Sequence, residues 1–175
     1  MGTFRAMGTE VTVRAACEIQ SVEQYLTEVA TERFVAAEQR FSRFLPESEL
    51  SRLNRAGAAT GVSEALFAAL VRAERWSVET NGLFDATLGR ELCRLGYDRP
   101  FSFGLLDQSD PVAPPNQGDS AVTRRARLTL DRAQRGVVLG PGVELDLGGM
   151  IKGATVDEAL RGIPLSAAVD AGGDL

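Results

Sequence analysis

The chain has 175 residues, 44% hydrophobic and 25% charged, with a mean hydropathy of -0.06 and a net charge of -5. These proportions suit one globular domain, long enough to bury roughly 70% of its unfolded surface without disulfides or a structural metal. The acidic balance argues against nucleic-acid binding, and with no histidine in the sequence there can be no Ser-His-Asp or Cys-His catalysis and no His-ligated zinc or haem within it.

Among the cations arginine dominates, and Lys152 is the sole lysine. Cys17 and Cys93 are too few for a Cys-rich metal site and read as buried, reduced thiols. No stretch approaches the about 20 apolar residues of a membrane-spanning helix. The chain is expected to be cytoplasmic, or exported after loss of a signal. Arg5, Glu10 and Arg14 interrupt any apolar run ahead of Cys17, so a lipoprotein signal is rejected.

In chain order, Thr9 to Val13 alternates as an early strand. From Ser21 to Phe44, the apolar residues Leu26, Ala30, Phe34, Ala37, Phe41 and Phe44 recur every three or four positions, one face of a long helix that Pro46 ends. Glu47 to Asn54 suits a short helical turn. Ser63 suits the N-cap of a helix with Leu66, Ala69, Leu70, Ala73 and Trp76 inward, stopping at Asn81-Gly82 in a left-handed turn. Residues 100–120, with Pro111, Pro114, Pro115 and Gly118, read as an exposed loop inside the domain. Arg127–Leu130, Gly136–Leu139 and Val143–Leu147 read as strands, Gly149–Leu160 as a helix and Ala167–Asp170 as a strand. The order predicts an α+β fold, a mixed sheet with packed helices, in a single domain over residues 1–175.

The chemistry concentrates where Glu144-Leu145-Asp146 runs into Leu147-Gly148-Gly149-Met150-Ile151-Lys152. Glycines let a ligand approach the backbone, and free N–H groups at a helix start attract anions. Lys152 adds a full positive charge, and Asp146 can accept hydrogen bonds from a base or ribose. A glycine turn that only packs strand on helix explains the same residues equally well, and neither phosphate-loop nor dinucleotide spacing is present. In Asn81-Gly82-Leu83-Phe84-Asp85, Phe84 can stack on a planar ligand, although a core phenylalanine in a tight turn is the better reading of that residue alone. Phe44 ends a helix before a Ser/Asn-rich turn, which by itself reads as helix capping. Val169-Asp170-Ala171-Gly172-Gly173-Asp174 is a strand running into a glycine pair.

Together these segments resemble the FAD:protein FMN transferases, the ApbE family. The resemblance rests on Met7-Gly8-Thr9, the Ser48–Asn54 region, Gly82-Leu83-Phe84-Asp85, Asp146-Leu147-Gly148-Gly149 with Lys152-Gly153, and Ala171-Gly172-Gly173-Asp174, in that family's order. It implies a magnesium-dependent enzyme that transfers the FMN half of FAD to a Thr or Ser hydroxyl of an acceptor flavoprotein, releasing AMP. An FAD diphosphatase and a non-catalytic FAD-binding module or scaffold are the alternatives. It also implies that Met7, Phe44, Leu83, Phe84, Asp85, Asp146 and Lys152 line the FAD site. Gly149 would offer its main-chain carbonyl to magnesium, and Asn54 would lie nearby. Phe44 stands where the family often has tyrosine, so stacking survives and a hydroxyl contact does not. Family members continue to a His-Ile-Ile-Asp-Pro-type segment that completes the metal site. The chain is therefore expected to be the front half to two-thirds of such an enzyme and inactive on its own.

Overall fold

A computed structural model of the chain describes residues 1–16, 19–97, 127–161 and 166–172. The first hairpin pairs β1 (Gly2–Ala6) with β2 (Thr9–Ala15) across Met7-Gly8. Both connecting residues have positive φ, 50° and 75°, as a two-residue hairpin that follows the strand twist requires. Methionine is an unusual occupant of such a position. The Glu38 carboxylate holds it there, Oε1 accepting the Met7 N–H at 3.2 Å.

Beside β2 lies β6 (Ala167–Ala171), antiparallel, with Val13 opposite Val169. The period-two alternation buries Val11 and Val13 on one face. Against that face, α1 (Gln20–Phe41) lays Leu26, Ala30 and Phe34, while Ala37 nearer its end packs in the second core, and Phe34 meets Phe4 edge to face at 5.6 Å.

A second three-stranded antiparallel sheet has the order β3 (Ala58–Ala59), β5 (Gly136–Leu139), β4 (Leu128–Asp131). With it pack α2 (Glu49–Ala56) and α3 (Glu64–Glu79), burying Leu50, Leu53, Leu66 and Leu70 with Val137 and Leu139. The two helix starts are joined. Ser48 and Ser63 cap α2 and α3, accepting from Ser51 N at 2.9 Å and Leu66 N at 3.1 Å, and Glu49 accepts from both N and Oγ of Ser63 at 2.7 and 2.6 Å. α4 (Gly89–Arg94) follows α3. The last helix, α5 (Gly148–Leu160), belongs to both cores: Met150 and Ile151 pack with the second, Val156 and Ala159 with the first.

The α+β class is as the sequence predicts. The described strands, however, divide between two antiparallel sheets, and the parallel pairing among them is a single bridge, Leu88 with Glu144. Val143–Leu147 is not a strand because other groups take its backbone. The Asn54 amide bonds both N–H and C=O of Leu145, at 2.8 and 3.0 Å. Gly89 N donates to Glu144 O at 2.9 Å, and Asp146 N to Ala86 O at 2.8 Å. Helix α1 ends at Phe41, short of Pro46, and Phe44 leaves the core face that the helical spacing assigns it. α3 stops at Glu79, and Asn81 and Gly82 take the left-handed turn expected of them, φ 53° and 83°. Cys93 is half-buried rather than buried, on the short α4. β1, β3 and α4 are additions to the sequence reading. The loop at 100–120, Cys17 and Asp174 lie outside the described residues. No helix among those described is long and apolar enough to cross a membrane.

Candidate functional site

A cavity of about 720 Å³ opens between the Met7-Gly8 turn, the loop after α1 and the first turn of α5. That volume is within the range of small-molecule sites. Each wall has a local cause. The Met7-Gly8 turn is pinned by Glu38, as above. After Phe41 the backbone of Ser42 turns extended (ψ 125°), and its Oγ accepts from the N–H groups of Phe44 and Leu45 at 3.2 and 3.3 Å. The Ser42 carbonyl in turn accepts from Ser51 Oγ at 3.1 Å. The loop is thus bonded to its own helix end and to α2, and it presents both Arg43 and Phe44 to the cavity.

Arg43 is the residue that sequence reasoning missed. Its Nε donates to Asp146 Oδ2 at 2.5 Å, with only 11% and 16% of the two side chains exposed. Nη1 points at Cys93 Sγ, 3.4 Å away, and Nη2 donates to the Tyr97 carbonyl. The guanidinium carbon lies 4.1 Å from the centre of the Phe44 ring, a cation–π contact. Arg43 and Asp146 are 103 positions apart, so no spacing rule joins them. The available sequence signal was weak: an arginine beside an aromatic in a turn already singled out.

Asp146 also accepts from Gly148 N through Oδ1 at 2.6 Å. A Cβ at Gly148 would come within 2.9 Å of that oxygen, so the close approach of carboxylate to helix start requires glycine. The acid just ahead of the helix is thereby its own anion, answering part of the positive end of its dipole. Lys152, one turn further on, lines the same cavity.

Of the residues singled out from the sequence, Met7, Phe44, Asp146 and Lys152 line this cavity. Leu83, Phe84, Asp85 and Gly149 stand off it. Leu83 is 93% exposed. Phe84 packs edge-on against Trp76 at 5.6 Å, and a Cβ on Gly149 would sit 3.6 Å from its ring. Asp85 Oδ1 accepts from N and Oγ1 of Thr87 at 2.9 and 2.6 Å, and Oδ2 faces Arg127 Nη1 at 4.0 Å. Asn54 acts on the backbone of Leu145 and so fixes the residue next to Asp146.

A magnesium site needs several oxygen donors in near-octahedral geometry, usually including one or two carboxylates. Among the described residues no group of three or more Asp, Glu, Cys or His side chains is placed to hold a metal. The Gly149 carbonyl is neutral, and Asp146 and Asp85 are engaged as described. The described residues do not by themselves fit the ion.

Two three-stranded antiparallel sheets with packed helices, and a cavity where a hairpin turn meets a glycine-led helix, define an α+β fold. Residues 7–175 match the ApbE family, and the chain belongs to that family. An FAD:protein FMN transferase from Chlamydia trachomatis is 32% identical over 126 residues, which is 69% of this chain and 37% of that protein. The ApbE protein of Thermotoga maritima superposes with a TM-score of 0.73 at 23% identity, covering 97% of this chain and 55% of its own. The flavin transferase ApbE of Vibrio cholerae gives a TM-score of 0.69 at 21% identity, covering 98% of this chain and 56% of its own. The apo form of the Pseudomonas stutzeri flavinyl transferase ApbE gives 0.70 at 19% identity, over 98% of this chain and 58% of its own. At these identities the solved structures speak for the fold. This chain spans little more than half the length of those structures.

Proposed function

We propose that the cavity is the FAD site of a flavin transferase, which moves the FMN half of FAD to a Thr or Ser hydroxyl of an acceptor flavoprotein and releases AMP. The observation that carries the reading is convergence: Met7, Phe44, Asp146 and Lys152, drawn from distant parts of the chain, line one cavity. Phe44 offers a ring face to a flat ligand. Asp146 offers carboxylate lone pairs to an N–H or O–H donor. Lys152 adds the positive charge that a diphosphate needs. Leu83, Phe84 and Asp85 belong to the reading as a second contact region on the far side of the α5 start.

In the reaction, the acceptor hydroxyl attacks the FMN phosphorus, the bond to the AMP oxygen breaks, and the hydroxyl proton leaves. The chain's own contribution is to bind and orient the two halves of FAD, and positioning is most of what a protein supplies to phosphoryl transfer. A magnesium requirement comes with the reading, in which the Gly149 carbonyl would be one of the oxygens offered to the ion. No step is assigned to the ion, since the described residues do not complete its shell. For the same reason the chain alone is expected to leave an acceptor unmodified. The test incubates it with FAD, magnesium and an acceptor domain and follows the acceptor by mass spectrometry. No added FMN is expected. EDTA-sensitive addition would mean that the chain carries a full metal site, and release of free FMN and AMP would favour the diphosphatase. For the binding reading itself, titration should find FAD bound more tightly than riboflavin, and equal affinities would remove the diphosphate from the site.

A further inference from the structure

Arg43 is where the walls of the cavity meet. Through Asp146, Cys93, Tyr97 and Phe44 it ties the loop after α1 to α4, to the residues following α4 and to the head of α5. Arg43 Nε donates to the Asp146 carboxylate, and a carboxylate in its ionised form only accepts hydrogen bonds. A carboxylate has about four lone-pair positions. Arg43 Nε occupies one on Oδ2 and Gly148 N one on Oδ1, at 2.5 and 2.6 Å. What remains is acceptor capacity alone.

We infer that Arg43 is the positioning residue for Asp146: it fixes the carboxylate's rotamer, so that the lone pairs left over face a ligand presenting an N–H or O–H donor there. The same side chain backs the Phe44 ring, against which a flat heterocycle can stack. A nucleoside satisfies both demands at once, with ring amine or sugar hydroxyl as donor and base as stacking partner. This assignment rests on the reading of the cavity as an FAD site and places the AMP half at Asp146. Lysine cannot replace Arg43, since a point charge has neither the planar fork nor the flat face.

The test is a double-mutant cycle by isothermal titration calorimetry, with FAD and with riboflavin, which lacks the AMP half. The proteins are the wild type, Arg43→Gln, Asp146→Asn and the double variant, with Arg43→Lys as a second probe. Each single substitution should weaken FAD about 10- to 100-fold, the range of a lost charge-assisted hydrogen bond. The double variant should bind FAD no more weakly than Asp146→Asn alone, and Arg43→Lys should recover only part of the loss. Riboflavin affinity should stay within about twofold throughout, a selectivity that general loosening would not give. Multiplicative losses in the double variant, or equal losses for both ligands, would overturn the assignment. So would unfolding of both Arg43 variants beside a folded Asp146→Asn, which would make the guanidinium a support of the fold. A wild type that binds FAD no better than riboflavin would instead bring down the FAD reading, and this role with it.

Discussion

Asp146 and Asp85 look alike in the sequence. Each stands in a turn rich in glycine, near a short apolar run, and each is singled out by the family's pattern. Their surroundings differ in one respect. Both carboxylates accept from a residue two positions on, Asp85 from Thr87 and Asp146 from Gly148, but the distant arginine only faces Asp85 at 4.0 Å, whereas Arg43, 103 positions away, donates to Asp146 at 2.5 Å. A carboxylate satisfied locally stabilises its own turn. One satisfied across the fold by a charge inside a cavity joins two walls and still keeps lone pairs for a ligand. The distance of the partner along the chain, more than the motif, separates the two roles.

The largest expected effect falls on the long-range pair. Asp146→Ala leaves the Arg43 guanidinium uncompensated and nearly buried, and should cost about 3–5 kcal/mol of stability. Combining it with Arg43→Met should recover much of that loss in urea unfolding. If the single variant melts like the wild type, the pair contributes little and the contrast collapses. Asp85→Ala should cost less, about 1–2 kcal/mol, for the two bonds to Thr87. Asp85→Asn keeps the Oδ1 acceptor and should restore most of the melting temperature, while Arg127→Ala changes it little. A comparable loss in the asparagine variant would shift the weight to charge. At the small end, Leu83→Ala should alter stability by less than about 0.5 kcal/mol, because the side chain is almost wholly in solvent. A fall in FAD affinity with stability unchanged would then assign Leu83 to the ligand, and unchanged affinity would remove it.

Much of this was legible in the chain itself, for identifiable reasons. The long helices announce themselves because Leu26, Ala30, Phe34 and Ala37, and again Leu66, Leu70 and Ala73, recur at helical spacing and are buried. Ser63 is a cap that works locally, so local reading finds it. Val143–Leu147 misleads for the opposite reason. Its alternation is genuine, with Leu145 and Leu147 buried, yet its backbone is bonded by a side-chain amide from Asn54 instead of a strand. Periodicity reports which side of a segment is buried, not what its peptide groups bond to. The candidate site divides the same way. Met7, Phe44, Asp146 and Lys152 stand out through their motifs, whereas Arg43 matters through a contact that only the fold creates. Glu38 is similar, an acid on a helix whose job is to hold the N–H of a strained turn.

Helix α5 has its first turn in one hydrophobic core and its later turns in the other. Neither core can therefore come apart without pulling on a rod that it shares with the other. Melting should accordingly be a single concerted event, with amides of Val156 and Ile151 exchanging through the same global opening. The cavity sits at the head of that rod, on the seam. A ligand that tightens the Asp146–Lys152 end would consequently be felt at Val169, in the sheet that packs on the later turns of the helix, as slower hydrogen exchange.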